Sequence, residues 1–436
     1  MTEEMPCRKR RLSSFQIIIL GFAGVILLGA LLLMLPLSTT AGCVTPFHEA
    51  LFTATSAVCV TGLVVQDTGS YWSGFGQAVI LTLIQIGGLG VVTVAASVAL
   101  LSGRRISLMQ RSTMQDAISA PKVGGIVRLT RFILRGTFLI ELVGALVMLP
   151  VFCRDYGWHG IWMAVFHSVS AFCNAGFDIL GTNNNLYPSL TGYVQNPVIN
   201  ITIMLLIITG GIGFLTWDDI CENKLHFHRY RMQSKVILVT TLTLIVLPAL
   251  FFFFADFDAL PLGERIQAAL FQSVTPRTAG FDTVPTGELS PAGGLMTLIL
   301  MMTGGNSGSQ ACVTVIRGIS LDEIEFRDIF KVVWKEIRVA VLCGICLAIA
   351  CFGKIMLVDH MLLKSESVTT WVALVVSLSM AVTVFLAKLV GGTLPLLAKK
   401  LGFDPAVMAS PIITTIVDFL SLLVYFTFAT TILHIG

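Results

Sequence analysis

Ser168-Val169-Ser170-Ala171-Phe172-Cys173-Asn174-Ala175-Gly176-Phe177-Asp178 is the stretch on which the fold turns. It closes a short apolar run, residues 160–171, that stands between two longer ones, 132–152 and 198–216. A hydrocarbon core of about 30 Å needs about 20 helical residues to cross it, so the short run cannot span. A short helix that ends in a polar, glycine-bearing turn between two spans is the pattern of a re-entrant pore loop. Two other stretches repeat it. Ala54-Thr55-Ser56-Ala57-Val58-Cys59-Val60-Thr61-Gly62-Leu63 closes the run 46–56, and Ser273-Val274-Thr275-Pro276-Arg277-Thr278-Ala279-Gly280-Phe281-Asp282 closes 263–275.

Outward from these turns the chain is mostly apolar. Of its 436 residues, 55% are hydrophobic and 12% charged, against roughly 25% charged in soluble domains. The mean hydropathy is +0.86. So few ionisable groups cannot cover the surface of a water-soluble fold of this length. The long apolar runs are 15–35, 75–101, 132–152, 198–216, 236–254, 294–303, 339–358, 372–390 and 411–434. Nearly all are long enough to cross as helices; 294–303 is too short unless it continues into the glycine-rich residues after it. The expected fold class is an all-α polytopic membrane protein, with three helix–pore loop–helix repeats followed by three further transmembrane helices.

Basic residues sort the connections. Arg8, Lys9, Arg10 and Arg11 precede the first run, which is long for a signal-peptide core and has no small-residue cleavage site after it, so it reads as a retained first helix. Arg104, Arg105 and Arg111, then Lys122, Arg128, Arg131 and Arg135, lie between the second and third runs. Lys224, Arg229, Arg231 and Lys235 lie between the fourth and fifth, Arg327, Lys331, Lys335 and Arg338 before the seventh, and Lys399 and Lys400 before the last. These connections alternate with basic-poor ones, which places the N-terminus in the cytoplasm of a plasma (cell inner) membrane and the short runs on the external side. The expected organisation is a cytoplasmic N-terminus at 1–14, pore repeats at 15–125, 126–233 and 234–302 (the third truncated), and a C-terminal membrane segment at 303–436.

Repeated glycine turns at one membrane face fit the needs of a dehydrated cation. Such an ion requires several oxygen ligands in place of its water, and a loop that exposes successive carbonyls supplies them. Glycine takes positive φ and allows close approach of two backbones. The candidate filter is therefore Val60, Thr61 and Gly62; Asn174, Ala175 and Gly176; and Thr278, Ala279 and Gly280. The C-terminal end of each pore helix adds partial negative charge. Asp67, Asp178 and Asp282 follow the turns, either as an acidic vestibule that concentrates cations or as ordinary solvated loop charge.

The three turns, with Gln85-Ile86-Gly87-Gly88-Leu89-Gly90, resemble the Trk/Ktr/HKT potassium transporter superfamily, its Ktr-type pore subunits above all, over residues ~14–302. The resemblance implies potassium uptake, a homodimer in the lipid bilayer and a cytoplasmic nucleotide-binding regulatory ring subunit. It also implies four repeats and a glycine-rich gate in the second helix of the third. The gate-like residues here are Gly304, Gly305, Asn306 and Gly308, and no fourth glycine turn follows them. From about residue 300 the chain instead resembles the C-terminal transmembrane half of the MgtE magnesium channel family. Thr303-Gly304-Gly305-Asn306-Ser307-Gly308-Ser309-Gln310, Gly391-Gly392-Thr393-Leu394-Pro395 and Pro411-Ile412-Ile413-Thr414-Thr415-Ile416-Val417-Asp418 carry that likeness. The chain thus reads as a hybrid.

Two intramembrane acids stand out on physical grounds. An ionised carboxylate inside a long apolar run costs several kcal/mol unless it is paired or wet. Asp418 is the expected magnesium ligand implied by the resemblance, the rival reading being a pairing with Lys388. Glu141 is expected to find a structural partner. Cys343 and Cys346 form a C-x-x-C with no second Cys/His pair, which favours two small apolar side chains over a metal or redox site. The chain has no phosphate-binding loop with its lysine, no H-E-x-x-H and no nucleophile elbow, so no enzyme is expected, nor a cofactor or a nucleic-acid partner. The expected function is transport of inorganic cations, K+ first, with Na+ possible as a coupled ion. The alternatives are Mg2+ transport through the C-terminal helices, or a non-conducting membrane subunit, since a three-loop filter leaves one quadrant without carbonyls.

Overall fold

The computed structural model describes residues 14–91, 93–94, 126–224, 226–302, 329–356, 370–400 and a few positions between 420 and 431. Among these the regular elements are helices, with two isolated bridges, Thr39–Trp72 and Thr182–Asn185. The chain divides into two compact units, 1–294 and 295–436.

The first repeat is α1 (Ser14–Leu33), α2 (Phe47–Val58) and α3 (Gly74–Leu89). The second is α4 (Ile126–Tyr156), α5 (His159–Phe172) and α6 (Pro197–Gly211), followed by α7 (Phe214–Asn223). The third begins with α8 (Met232–Ala255) and α9 (Leu262–Val274) and continues into α10 (Pro291–Met302). Two helices, α3 and α6, start at side-chain caps. Ser73 Oγ accepts from Gly76 N before α3, and Asn196 Oδ1 accepts from Val198 N and Ile199 N at 3.0 and 3.3 Å before α6, whose first residue is proline.

At 1.5 Å per residue, α2, α5 and α9 are roughly 20 Å long and stop inside a bilayer core of about 30 Å. Their inner faces are packed where the first span is not. Phe166, Ala171 and Phe271 are buried, whereas Ile19, Leu20 and Leu28 of α1 are 64, 58 and 60% exposed, as lipid-facing residues are.

Five helices among the described residues are long and apolar enough to cross, or six if α6 and α7 count as one bent span. The run 198–216 does not cross as one straight helix, which corrects the sequence expectation. Gly213 has φ +81°, the helical ladder ends there, and α7 leaves at 97° to α6. The run 75–101 is likewise interrupted: α3 ends at Leu89, and Gly90 has φ +82°.

Neighbouring repeats dock by one repeated relation, α3 against α5 and α6 against α9. A buried amide fixes each. Gln77 is four residues after its cap Ser73, and its Oε1 accepts from Trp162 Nε1 at 2.8 Å. Asn200 is four residues after its cap Asn196, and its Nδ2 donates to Gln267 Oε1 at 2.9 Å. In the second unit, α11 (Ile329–Lys354) packs along α12 (Thr370–Lys400). The two approach closely at Gly344, where a β-carbon would stand 3.1 Å from the Ala381 carbonyl oxygen. Cys343 and Cys346 lie on α11.

Candidate functional site

The three glycine turns share one backbone. Positive φ falls at Val60 (56°) and Gly62 (76°), at Asn174 (56°) and Gly176 (69°), and at Thr278 (73°) and Gly280 (78°), each pair separated by one residue of negative φ. Alternating the hand of successive residues turns neighbouring peptide groups to one side, so carbonyls collect on one edge of the strand. Three non-glycine residues in this region cost about 1–2 kcal/mol each, and the same cost at three equivalent places marks a backbone built for a purpose.

The turns are tied to the helices that precede them. Thr61 N donates to Ser56 O at 2.9 Å, and Ala175 N to Ser170 O at 2.8 Å. In the third turn Ala279 N reaches Thr275 O at 3.0 Å, one residue nearer. Pro276 has no N–H to continue the helical ladder, and α9 stops at Val274 with Thr275 as its helical cap. Hydroxyls then clamp the far side of two turns, Ser170 Oγ donating to Phe177 O and Thr275 Oγ1 to Phe281 O.

The turns lie together, in chain order. A β-carbon on Gly62 would stand 2.5 Å from the carbonyl oxygen of Ala175, and one on Gly176 would stand 2.5 Å from the oxygen of Ala279. On Gly280 it would meet only the Gly176 α-carbon, at 3.8 Å. So the first turn faces the second and the second faces the third, and among the described residues no fourth turn faces the third. The nine candidate filter residues form one site. Among the described residues no three His, Cys, Asp or Glu side chains converge in a way that could hold a metal ion, and the oxygens of this site belong to the main chain.

A second set of glycines supports the first. A β-carbon on Gly87 of α3 would stand 2.1 Å from Val58 O, and on Gly210 of α6 it would be closer still to Phe172 O. Each sits ten residues after its amide, Gln77 or Asn200, and each lets the last carbonyl of a pore helix rest on the next span. The sequence held this signal: Gly87-Gly88-Leu89-Gly90 recurs as Gly210-Gly211-Ile212-Gly213. Only the first copy stands out when the sequence is read alone. Gln77 and Asn200 escape notice too, as lone amides in apolar runs.

The acids divide by role. Asp67 is 4% exposed; its Oδ2 accepts from Ser70 N and Ser70 Oγ, and its Oδ1 from Tyr187 N at 3.0 Å. It is a clasp between the outer loops of repeats one and two, not a solvated charge. Asp178 takes a hydrogen bond from Leu180 N. Burial pushes its carboxyl up to about 6, with the charges of Asp67 and Asp282 adding to the rise. Burial raises Asp282 as well, against the hydrogen bond from Thr286 Oγ1. Glu141 in α4 accepts from Gln85 Nε2 at 3.0 Å, and its main-chain carbonyl accepts from Ser168 Oγ of the second pore helix. The gate-like Gly304, Gly305, Asn306 and Gly308, and Asp418, lie outside the described residues.

Known proteins agree with this geometry. Residues 297–428 match the MgtE family, described as a divalent cation transporter. The chain is 39% identical over 334 residues to the potassium/sodium uptake protein NtpJ of Enterococcus hirae, covering 74% of this chain and 71% of that protein. It is 39% identical over 303 residues to the Ktr system potassium uptake protein B of Bacillus subtilis, covering 68% of this chain and 66% of that one. Among solved structures, the potassium transporter TrkH of Vibrio parahaemolyticus superposes over 98% of this chain and 87% of its own, with a TM-score of 0.51 and 13% identity, a likeness of fold. The TrkH family, described as cation transport proteins, matches residues 8–324, a span that includes all three turns, and on that match the chain belongs to the TrkH cation transport family.

Proposed function

We propose that this multi-pass membrane protein carries potassium through the ring formed by Val60–Gly62, Asn174–Gly176 and Thr278–Gly280. The supporting observation is the successive approach of Gly62 to Ala175 O and of Gly176 to Ala279 O. Main-chain oxygens of closely packed turns replace the hydration shell of a monovalent cation without binding it too tightly to release. The potassium uptake named for two relatives points the same way. Expression in cells starved of potassium tests it. The chain should restore growth, and Gly176→Ser should abolish the selectivity for potassium over sodium. Intact membrane insertion without rescue would overturn the reading.

The fourth side of the ring, beyond Gly280, is filled in this proposal either by residues 303–436 or by a second chain. A homodimer, a regulatory nucleotide-binding ring at the basic face, sodium as a coupled ion and a cytoplasmic N-terminus complete it. The three pore repeats at 15–125, 126–233 and 234–302 and the segment 303–436 are its working parts. A transcript that runs unbroken from Ile299 to Gln310 would establish the junction as a natural one.

The match of residues 297–428 favours a second reading, in which Asp418 binds magnesium in a pathway of its own. Magnesium keeps most of its waters and takes few carboxylates, so one acid from each of two chains suits it. Under this reading Asp418→Ala abolishes magnesium uptake and leaves potassium uptake unchanged. Loss of both together would sink it.

A further inference from the structure

The 97° break between α6 and α7 leaves a cavity of 720 Å3 where these helices meet α4. Its walls include Phe132, Leu139, Ile140, Ile212, Trp217 and Ile220. Trp217 donates its Nε1 proton to Thr209 O, so the ring offers the cavity an apolar face. One edge of the lining is of the opposite character. Arg128, Arg131 and Arg135 all contribute to it and all are exposed. Spaced three and four residues apart, they form one stripe along the first turns of α4.

These three cations have no ion pair among the described residues. Of the three carboxylates on α7, Asp218 and Asp219 are both engaged by Arg231, at 3.2 Å each, and Glu222 forms no ion pair with the stripe among the described residues. Three like charges within two helical turns repel one another unless an anion joins them. From Arg135 to the end of α4 at Tyr156 the helix rises about 30 Å, the thickness of the hydrocarbon core. The stripe therefore stands at headgroup level, with the apolar cavity beside and below it.

We propose that this cavity binds an anionic phospholipid, its phosphate held by Arg128, Arg131 and Arg135 and an acyl chain lying against Leu139, Ile140 and Trp217. Charge complementarity selects the class. A zwitterionic lipid brings no net charge to three arginines, and a soluble acidic segment would leave the apolar walls wet. A bound lipid would brace the elbow between α6 and α7 against α4.

Fluorescence of the full chain in vesicles tests this, with Trp217→Phe used to isolate the Trp217 emission. Dibrominated phosphatidylglycerol in a phosphatidylcholine background should quench Trp217 at a mole fraction roughly tenfold below that needed for dibrominated phosphatidylcholine, since each arginine near the surface favours an anionic lipid. Unlabelled phosphatidylglycerol should restore the emission, and inorganic phosphate should not. The triple change to glutamine should remove the preference and the triple change to lysine should keep most of it. Equal quenching by the two lipids in the wild-type protein, or a preference that survives in the glutamine variant, would overturn the proposal. Should the glutamine variant fail to insert, the wild-type comparison alone decides.

Discussion

The carbonyl oxygen of Ala175 faces the α-carbon of Gly62 so closely that a β-carbon there would stand 2.5 Å from it. Ala279 and Gly176 repeat the relation. The three turns are therefore held by backbone touching backbone, each turn setting the position of the one before it. A side chain at either glycine must push a carbonyl out of line, and in a site made of carbonyls that changes ligand positions directly.

Glycine substitutions should consequently be graded. Gly62→Ala and Gly176→Ala meet both a left-handed φ and a carbonyl at 2.5 Å, and both should lose potassium selectivity. Gly280→Ala meets only the φ of 78°, a cost of about 1–2 kcal/mol. It should retain partial uptake. Rubidium uptake into cells, measured with and without competing sodium, gives the ranking, and equal damage at all three positions would contradict the turn-to-turn contact.

Asp178 gives the pH dependence. Its carboxyl is raised from an ordinary 3.8 to about 6, chiefly by burial. It is ionised at neutral pH and gains its proton as the pH at its face of the protein falls through about 6, removing a negative charge from beside the glycine turns. Cation affinity should drop across that window, and Asp178→Asn should show the lower affinity at every pH. The native state also holds this proton more tightly than the unfolded chain does, so stability falls as pH rises from 3.8 to about 6. Asp178→Asn should therefore melt higher than the wild type at neutral pH. A steep pH response that persists in the asparagine variant would assign the titration elsewhere.

The sequence makes the pore turns legible because it carries three copies of one unusual pattern, a helix too short to span and then glycine, and little besides a pore requires that pattern three times at one face. Two other features escape it for physical reasons. The break at Gly213 lies inside a run that is apolar from end to end, and hydropathy measures length without seeing a left-handed residue. Asp67 shows the same limit for charge. An acid in an outer loop reads as solvated, yet Tyr187, over a hundred residues away, supplies the N–H that buries it.

Asn200 tests how repeats are held together. Its Nδ2 donates to Tyr193 O and Val194 O at 3.0 Å each and to Gln267 Oε1 at 2.9 Å. Asn200→Leu keeps the volume and removes all three, leaving Gln267 Oε1 and the Val194 carbonyl short of a donor, while the Tyr193 carbonyl keeps its bond from Asn196 N. The expected loss is about 1–3 kcal/mol for each group left buried and unpaired. Thermal unfolding in detergent should show a clearly lower midpoint, with the second pore turn and the third no longer in register. Gln267→Leu should lose much of the same energy, and the double variant less than the sum, because the two share one hydrogen bond.

The glycines of the broken spans offer the sharpest contrast, because adjacent positions differ. At Gly210 a β-carbon would overlap the carbonyl oxygen of Phe172, the last residue of the second pore helix, whereas at Gly211 it would lie 3.4 Å from the end of the Asn174 side-chain amide, an ordinary contact. Gly210→Ala must lift α5 off α6 and carry the turn at Asn174–Gly176 with it. Gly211→Ala asks only a side-chain amide to yield. Uptake should be lost in the first and largely kept in the second, with both proteins inserted. Gly87→Ala should behave as Gly210→Ala does, its β-carbon falling 2.1 Å from Val58 O. If Gly210→Ala transported normally, the pore helix could not be resting on that span, and the turns would have to take their positions from one another alone.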